Sequence, residues 1–155
     1  MNEDLAIRPM TAADLAAVVA LAESLPEAPR WPRSAYCAAL DPASMPCRIA
    51  LVAARAQPES LLGFAMASLV PPQAELETVA VAVACQRQGI GKRLLRALAA
   101  ALRTAGANEV LLEVRASNRA AWLLYRSIGF VATGRRPGYY REPEEDAVLM
   151  QRNLS

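Results

Sequence analysis

The sequence predicts a mixed α/β domain, in which a mostly antiparallel sheet with one parallel pair of strands is flanked by about four helices. Its 155 residues suit a single compact domain over residues 1–155, and 54% of them are apolar, as is typical of globular proteins. The apolar periodicity gives the element order β-α-α-β-β-β-α-β-α-β-β. The central β-α-β-α units in this order predict the parallel pair within an otherwise antiparallel sheet.

The first elements are a short strand and two helices. Leu5–Arg8 has strand character, and Thr11–Asp14 resembles a capping box, with Asp in place of Glu or Gln, for a helix that extends to about Leu25. Pro26 breaks this helix, and a second, shorter helix is expected over about Arg33–Leu40.

Three strands are expected next. Cys47–Arg55 and Ser60–Val70 are apolar runs separated by Gln57-Pro58-Glu59, which predicts an antiparallel hairpin. Ala74–Ala84 follows as a further strand. Its period of two places five side chains on one side of the sheet, namely Glu75, Glu77, Val79, Val81 and Val83.

The second half contains two helices that alternate with strands. A stripe of apolar residues at helical spacing predicts an amphipathic helix over Gly89–Gly106. Ser117 or Asn118 caps another helix, which reaches about Ile128 and is ended by Gly129. The strands of this half are expected at Asn108–Arg115, Phe130–Tyr140 and Asp146–Arg152.

Composition excludes several chemistries. The chain has no histidine, which excludes Ser-His-Asp and Cys-His catalysis and every histidine-ligated metal site. Cys37, Cys47 and Cys85 are odd in number and lack CxxC spacing, so neither a disulfide framework nor a zinc site is expected. We expect the three cysteines to be small buried apolar residues, and no metal to be required.

The sequence shows no feature of a membrane or nucleic-acid-binding protein. The net charge is only +2, and the longest apolar runs fall far short of the roughly 20 residues that cross a bilayer. The acidic start Met1-Asn2-Glu3-Asp4 lacks the apolar segment of a secretory signal. We therefore expect a cytoplasmic protein with no membrane partner and no direct nucleic-acid partner.

The segment Gln86–Gly91 joins a predicted strand directly to a predicted helix. Free N–H groups at a helix start favour an anion, and Gly89 and Gly91 let the backbone approach a ligand closely. Arg87, Lys92 and Arg93 add positive charge for a phosphate. The Walker A and GxGxxG patterns are both absent, so the spacing indicates either a phosphate-binding loop of another kind or simply a tight turn.

The run Gln86-Arg87-Gln88-Gly89-Ile90-Gly91 resembles the Q/R-x-x-G-x-G/A signature of the GNAT superfamily of acetyltransferases. Leu112–Asn118 and Leu124–Phe130 resemble the RimI branch, which acetylates the N-terminal alanine of a small-subunit ribosomal protein. The resemblance implies a GNAT-like sheet, acetyl-coenzyme A as cosubstrate, and a protein N-terminus as acceptor. We expect direct transfer, by a monomer or weak homodimer.

The resemblance also implies roles for individual residues. It places the general base at Glu113 and the proton donor at Tyr125. Trp31, Tyr139 and Tyr140 would line the peptide groove. The residues implied to hold the cofactor are Val79, Ala80, Val81, Arg87, Gln88, Gly89, Ile90, Gly91, Lys92 and Asn118.

The residues themselves leave alternatives open. Glu113 also fits a solvated strand-end glutamate, and Tyr125 also fits an aromatic core stripe with Trp122 and Phe130. Glu75 and Glu77 fit either surface roles or a second carboxylate site. The acceptor could instead be a small amine or a lysine side chain, and a non-catalytic acyl-coenzyme A sensor is a further possibility.

Overall fold

The computed structural model describes residues 4–29, 31–56 and 59–155, and these residues form a seven-stranded sheet with the order β1-β2-β3-β4-β5-β7-β6. Only β4 and β5 are parallel among the strand pairs of these residues. The strands are β1 (Leu5–Pro9), β2 (Cys47–Ala56), β3 (Glu59–Val70), β4 (Gln73–Val81), β5 (Glu109–Arg115), β6 (Val131–Tyr140) and β7 (Glu145–Asn153). The predicted fold class and element order are confirmed.

Helices cover both faces of the sheet. They are α1 (Leu15–Glu23), α2 (Arg33–Ala39), α3 (Ile90–Thr104) and α4 (Arg119–Ser127). The core on one face is formed with α3 and α4, and the core on the other face is formed with α1 and α2. The apolar stripe predicted for α3 is buried against the sheet, at Ile90, Leu94, Leu95, Leu98 and Leu102.

The predicted capping box at Thr11 is present, although the helix begins differently. The Asp14 carboxylate accepts a hydrogen bond of 2.8 Å from the Thr11 backbone N–H, and the first turn, Ala12–Asp14, is a 3-10 turn that leads into α1. Asp14 also forms two hydrogen bonds of 2.8 Å with the guanidinium of Arg8 on β1. This pair ties the start of α1 to the sheet.

One extra residue in β4 overturns the predicted arrangement of its side chains. Met66 of β3 pairs with Thr78 while its neighbour Ala67 pairs with Leu76, so Glu77 is the inserted residue of a β-bulge. Because one inserted residue reverses the alternation, Glu75 and Glu77 face α1 and α2, whereas Val79 and Val81 pack on the α3 face. Val83 lies beyond the strand, in a 3-10 turn.

Strands β4 and β5 diverge soon after they begin. Their pairing covers only Gln73–Glu75 and Glu109–Leu111, although the strands continue to Val81 and Arg115. The space between the second halves of β4 and β5 is called the cleft below. Because parallel strands end at the same edge of the sheet, the cleft opens towards the loop that begins α3.

Two sequence expectations need correction or restriction. Cys37 and Cys47 are exposed and Cys85 is half-buried, so the cysteines are not interior residues; Cys47 begins β2, and Cys37 lies on the outward side of α2. Gln57 and Pro58 of the predicted hairpin turn lie outside the described residues, although β2 and β3 pair as expected.

Within the described part of the chain, no helix is long and apolar enough to cross a membrane.

Candidate active site

The loop before α3 is tied to the end of β4 and turns sharply. The side-chain amide of Gln86 donates a hydrogen bond of 3.0 Å to the carbonyl of Val81. Arg87 has a φ of 64° and Gly89 a φ of 82°, both in the left-handed region. A non-glycine residue in this conformation costs about 1 kcal/mol or more, and such strain concentrates at ligand-binding sites.

The start of α3 presents backbone N–H groups to the cleft edge. The N–H of Arg93 makes the first helical bond, 3.0 Å to the carbonyl of Gly89, so the N–H groups of Ile90, Gly91 and Lys92 precede the helical ladder. A Cβ added to Gly89 would meet no described heavy atom within 4 Å. The loop therefore has the open, amide-lined form that suits a phosphate.

Only part of the positive charge expected here faces the loop. Arg87 is exposed and Lys92 is half-buried at the helix start. Arg93 is directed elsewhere, since its guanidinium donates a hydrogen bond of 3.5 Å to the carbonyl of Leu5 on β1. The electrostatic attraction for an anion thus comes from Arg87, Lys92 and the positive end of the α3 dipole.

At the end of β4, the backbone N–H and C=O groups of every second residue point into the cleft. The N–H of Ala82 donates to the carbonyl of Leu62 on β3, and the carbonyl of Ala80 lies 2.7 Å from the position of a Cβ on Gly63 of β3. Ala80 therefore directs its backbone towards β3, and alternation directs the backbone groups of Val79 and Val81 towards β5. Of the three strand residues predicted to contact a cofactor, Val79 and Val81 have the suitable orientation.

Close packing brings the loop, β4 and α4 together. A Cβ on Gly91 would lie 3.3 Å from the side chain of Leu124 and 3.7 Å from that of Val81. Asn118 caps α4, because its side-chain oxygen accepts a hydrogen bond of 3.2 Å from the N–H of Ala121. The cap fixes Asn118 at the base of α4 with its side-chain NH2 group as a further donor.

Glu113 lies on β5 among charged and phenolic side chains from neighbouring strands. Its carboxylate is 3.4 Å from the guanidinium of Arg136 on β6. The pKa of Tyr139 is raised, chiefly because its hydroxyl donates towards the Glu113 carboxylate and also because of that negative charge. The pKa of Glu75 on β4 is raised by burial and then by repulsion from Glu113 and Glu77.

Tyr125 lies on the opposite side of the same region. It is 8% exposed, and its ring packs edge-on against Phe130 at 5.8 Å between centroids. Burial raises the pKa of Tyr125, with a smaller contribution from Tyr140. The hydroxyl therefore stays protonated at neutral pH, while the ring belongs to the core on the α3 and α4 face.

Tyr140 connects the environments of Glu113 and Tyr125. Its pKa is raised by burial and then by the negative charge of Glu113. The guanidinium of Arg115 lies over its ring at 4.4 Å, and Tyr139 packs against it edge-on at 5.0 Å between centroids. The final hairpin thus brings both predicted tyrosines near Glu113 on β5, and Tyr140 also interacts with the buried Tyr125.

Trp31 lies on the α1 and α2 face of the sheet. Its ring is 5.3 Å from that of Tyr36, which packs edge-on against Phe64 of β3 at 6.0 Å. Trp31 is half-buried, so one part of its ring supports the core and another part reaches the surface. The structure places it on the same face of the sheet as Glu75.

Sequence reasoning missed two charged contacts at this site. One is Arg136 beside Glu113. The other is a bidentate ion pair, 2.9 and 3.2 Å, between Arg48 of β2 and Glu77 at the β4 bulge. Both join residues more than 20 positions apart in the chain, and no local spacing signals such contacts.

The fold and site together define a class of protein. A helix start that suits phosphates, beside a parallel strand pair that diverges, suits an elongated cofactor with a phosphate end. The acetyltransferase (GNAT) family model matches residues 17–130, which is more than half of the sequence. The chain belongs to this family.

Relatives and solved structures agree with this family. A 98-residue segment is 45% identical to N-alpha-acetyltransferase RimI of Mycobacterium tuberculosis, covering 61% of this chain and 60% of that protein. A 97-residue segment is 40% identical to the ribosomal protein bS18-alanine N-acetyltransferase of Escherichia coli K12, covering 61% and 66%. The match thus spans about two thirds or less of these relatives' length.

The whole fold is similar to that of a solved structure. The crystal structure of the ribosomal-protein-S18-alanine N-acetyltransferase from Escherichia coli has a TM-score of 0.84 to this chain at 29% identity. The similarity covers 97% of this chain and 94% of that one. The sequence-based resemblance to the GNAT family and its RimI branch is confirmed.

Proposed function

We propose that this protein transfers the acetyl group of acetyl-coenzyme A to the N-terminal α-amine of a protein, with an N-terminal alanine of a small-subunit ribosomal protein as the acceptor. The observation that carries the proposal is the cleft, which opens between a phosphate-suited helix start and β5, the strand that carries Glu113, with Tyr125 on α4 behind it. The names of the relatives from Mycobacterium tuberculosis and Escherichia coli support the acceptor class.

The residues of the loop fit the pyrophosphate of the cofactor. The N–H groups of Ile90, Gly91 and Lys92 would donate to its oxygens, together with the neighbouring amides of Gln88 and Gly89, and Arg87 would add charge. The pantetheine arm would lie along the cleft and pair with the backbone of Val79 and Val81. Asn118 would contact the same arm from the base of α4.

The acceptor would enter from the face that carries Glu75, Glu113 and Trp31. An N-terminal ammonium has a pKa near ~8, so a carboxylate can deprotonate it at neutral pH, directly or through one water. Glu113 would accept this proton. Trp31, Tyr139 and Tyr140 would line the groove for the first residues of the acceptor.

Direct transfer then requires a bond change at the thioester carbonyl. The amine nitrogen forms the new C–N bond, the C–S bond breaks, and the electron pair stays on sulfur. A backbone N–H at the end of β4 would stabilise negative charge on the carbonyl oxygen during this change. Tyr125, whose phenol is protonated at neutral pH, would donate its proton to the sulfur and regain one, directly or through water, from the amine nitrogen, which loses its second proton as the amide forms.

A peptide assay tests this function. The purified protein would be incubated with acetyl-coenzyme A and a short peptide beginning with alanine, and thiol release and peptide mass would be followed together. We expect one acetyl group on the free α-amine and none on an N-terminally blocked peptide that retains an internal lysine. Acetylation of the blocked peptide would contradict the α-amine as acceptor, and cofactor binding without any product would contradict catalysis.

A further inference from the structure

Arg136 lies beside Glu113, the proposed base that the acceptor ammonium would approach. Its guanidinium is 3.4 Å from a carboxylate oxygen of Glu113 and lies over the ring of Tyr139 at 5.4 Å from the centroid. Its side chain is nevertheless 57% exposed, on the edge strand β6. The contact thus joins a half-buried carboxylate to a side chain that can move into solvent.

This ion pair competes with the proposed action of Glu113. A guanidinium does not release its proton at physiological pH, and it lies beside one of the two carboxylate oxygens that an acceptor ammonium would approach. An exposed ion pair is weakly held, because solvent screens it and the arginine loses side-chain freedom. A ligand that brings its own cation can therefore replace the guanidinium at little cost.

The surroundings of Glu113 favour a cation at this position. Glu75 on β4 interacts with it electrostatically, whereas Glu77 on the same strand is paired with Arg48. Tyr139 and Tyr140 face it from β6, with Arg115 beyond the Tyr140 ring. If Arg136 moves away, its charge no longer offsets the repulsion between Glu75 and Glu113, and another cation would relieve that repulsion.

We propose that Arg136 holds Glu113 when no acceptor is present and is displaced by the acceptor's α-ammonium, so that it competes with the acceptor for the same carboxylate. This inference rests on the proposed function, in which Glu113 is the base. An acceptor amine must therefore interact with Glu113 strongly enough to displace Arg136. Acceptors without a positive charge at the amine would not displace it.

Two neighbouring arginines provide a matched test. Arg135 is 58% exposed and pairs with Asp146 at 3.3 Å, so it resembles Arg136 in exposure and pairing but contacts a different carboxylate. The steady-state KM for an alanine peptide and for acetyl-coenzyme A would be measured for wild type, Arg136→Gln, Arg136→Lys and Arg135→Gln. We expect Arg136→Gln to lower the peptide KM by about two- to fivefold, the size of effect of an exposed ion pair. The acetyl-coenzyme A KM should not change.

The other two variants complete the test. Arg136→Lys keeps the competing cation and should have a peptide KM close to that of wild type, and so should Arg135→Gln. An unchanged peptide KM in Arg136→Gln would overturn the inference, and a raised one would show that Arg136 binds the acceptor directly. No product from wild type would overturn the proposed function and this inference with it, whereas product with an unchanged KM overturns the inference alone.

Discussion

The two sides of the cleft between β4 and β5 are constructed from different parts of the chain. The side proposed for the cofactor consists mainly of backbone groups, at the end of β4 and over Ile90–Lys92. The side proposed for the acceptor consists of charged and aromatic side chains from three strands, among them Glu75, Glu113 and Arg136. The first side depends on chain geometry, and the second depends on individual side chains.

This difference predicts different responses to substitution. Backbone donors remain when a side chain is changed, so the cofactor side should respond mainly to changes that alter φ or fill the space above a glycine. A catalytic carboxylate has no such substitute, so the acceptor side should respond strongly to single changes of charge. Substitutions of Glu113 and of Gly89 each change one side of the cleft and leave the other intact, whereas Asp14 lies far from both.

The largest effect is expected for Glu113→Gln. The amide keeps the shape of the side chain but cannot accept the acceptor's proton, so kcat should fall about 10²- to 10⁴-fold. The affinity for acetyl-coenzyme A, measured by calorimetry, should stay within about twofold of wild type. Glu109→Gln is the control on the same strand, where the carboxylate accepts a hydrogen bond of 2.6 Å from Gln151 outside the cleft. Equal loss in both variants would contradict a role in proton transfer.

A smaller loss is expected for Tyr125→Phe. The phenol would donate one proton to the leaving sulfur, and water can partly replace it, so we expect kcat to fall about 10- to 100-fold. The buried Tyr36 offers a control, because its hydroxyl has no hydrogen-bond partner among the described residues. Tyr36→Phe should keep full activity and equal or greater thermal stability. Full activity of Tyr125→Phe would leave this tyrosine with its core role only.

Alanine substitutions of the glycines at the two ends of α3 distinguish a loss of cofactor binding from the effect of backbone strain. Gly89 and Gly106 have φ values of 82° and 108°, so alanine is strained by about 1–2 kcal/mol at either position. A Cβ on Gly106 would only touch Pro71, at 3.7 Å. Both variants should lose similar thermal stability, whereas only Gly89→Ala should weaken acetyl-coenzyme A binding, by about tenfold. Equal binding by the two variants would place the phosphates elsewhere.

The smallest effect on activity is expected for Asp14→Asn, far from the cleft. Hydrogen bonds from Arg8 lower the pKa of Asp14 from 3.8 to about 2, outweighing the opposite effect of burial. Because the folded-state pKa is lowered, the carboxylate stabilises the fold above about pH 3.8 and loses this contribution as pH falls towards 2. The variant should be less stable by up to about 2 kcal/mol at pH 7, with little difference near pH 2. Denaturant unfolding at the two pH values measures this, and a pH-independent difference would contradict the assignment.

Local sequence patterns predicted the elements and the loop before α3 because those features depend on neighbouring residues. The spacing of apolar residues defined α3 within one or two residues, and the glycines at 89 and 91 marked the loop before it. The Asp14 cap was likewise visible in four consecutive residues. Such signals need no knowledge of which strands are neighbours.

The remaining features depend on tertiary contacts that no short pattern contains. The bulge at Glu77 arises from the register between β3 and β4, and it reversed the predicted faces of Val79 and Val81. Arg136 reaches Glu113 only because β7 and β6 follow β5 in the sheet. The alternation within β4 also directs the backbone of Ala80, one of the three strand residues predicted to contact the cofactor, towards β3.

Hydrogen exchange with and without acetyl-coenzyme A would test most directly whether the cleft holds the cofactor. We expect new protection at the amides of Val79 and Val81 and over residues 86–92, with no change in the β1–β2 pair on the far edge of the sheet. Protection confined to the groove between α4 and the β6–β7 hairpin, which Trp122 and Arg135 help to line, would contradict a cofactor site between β4 and β5.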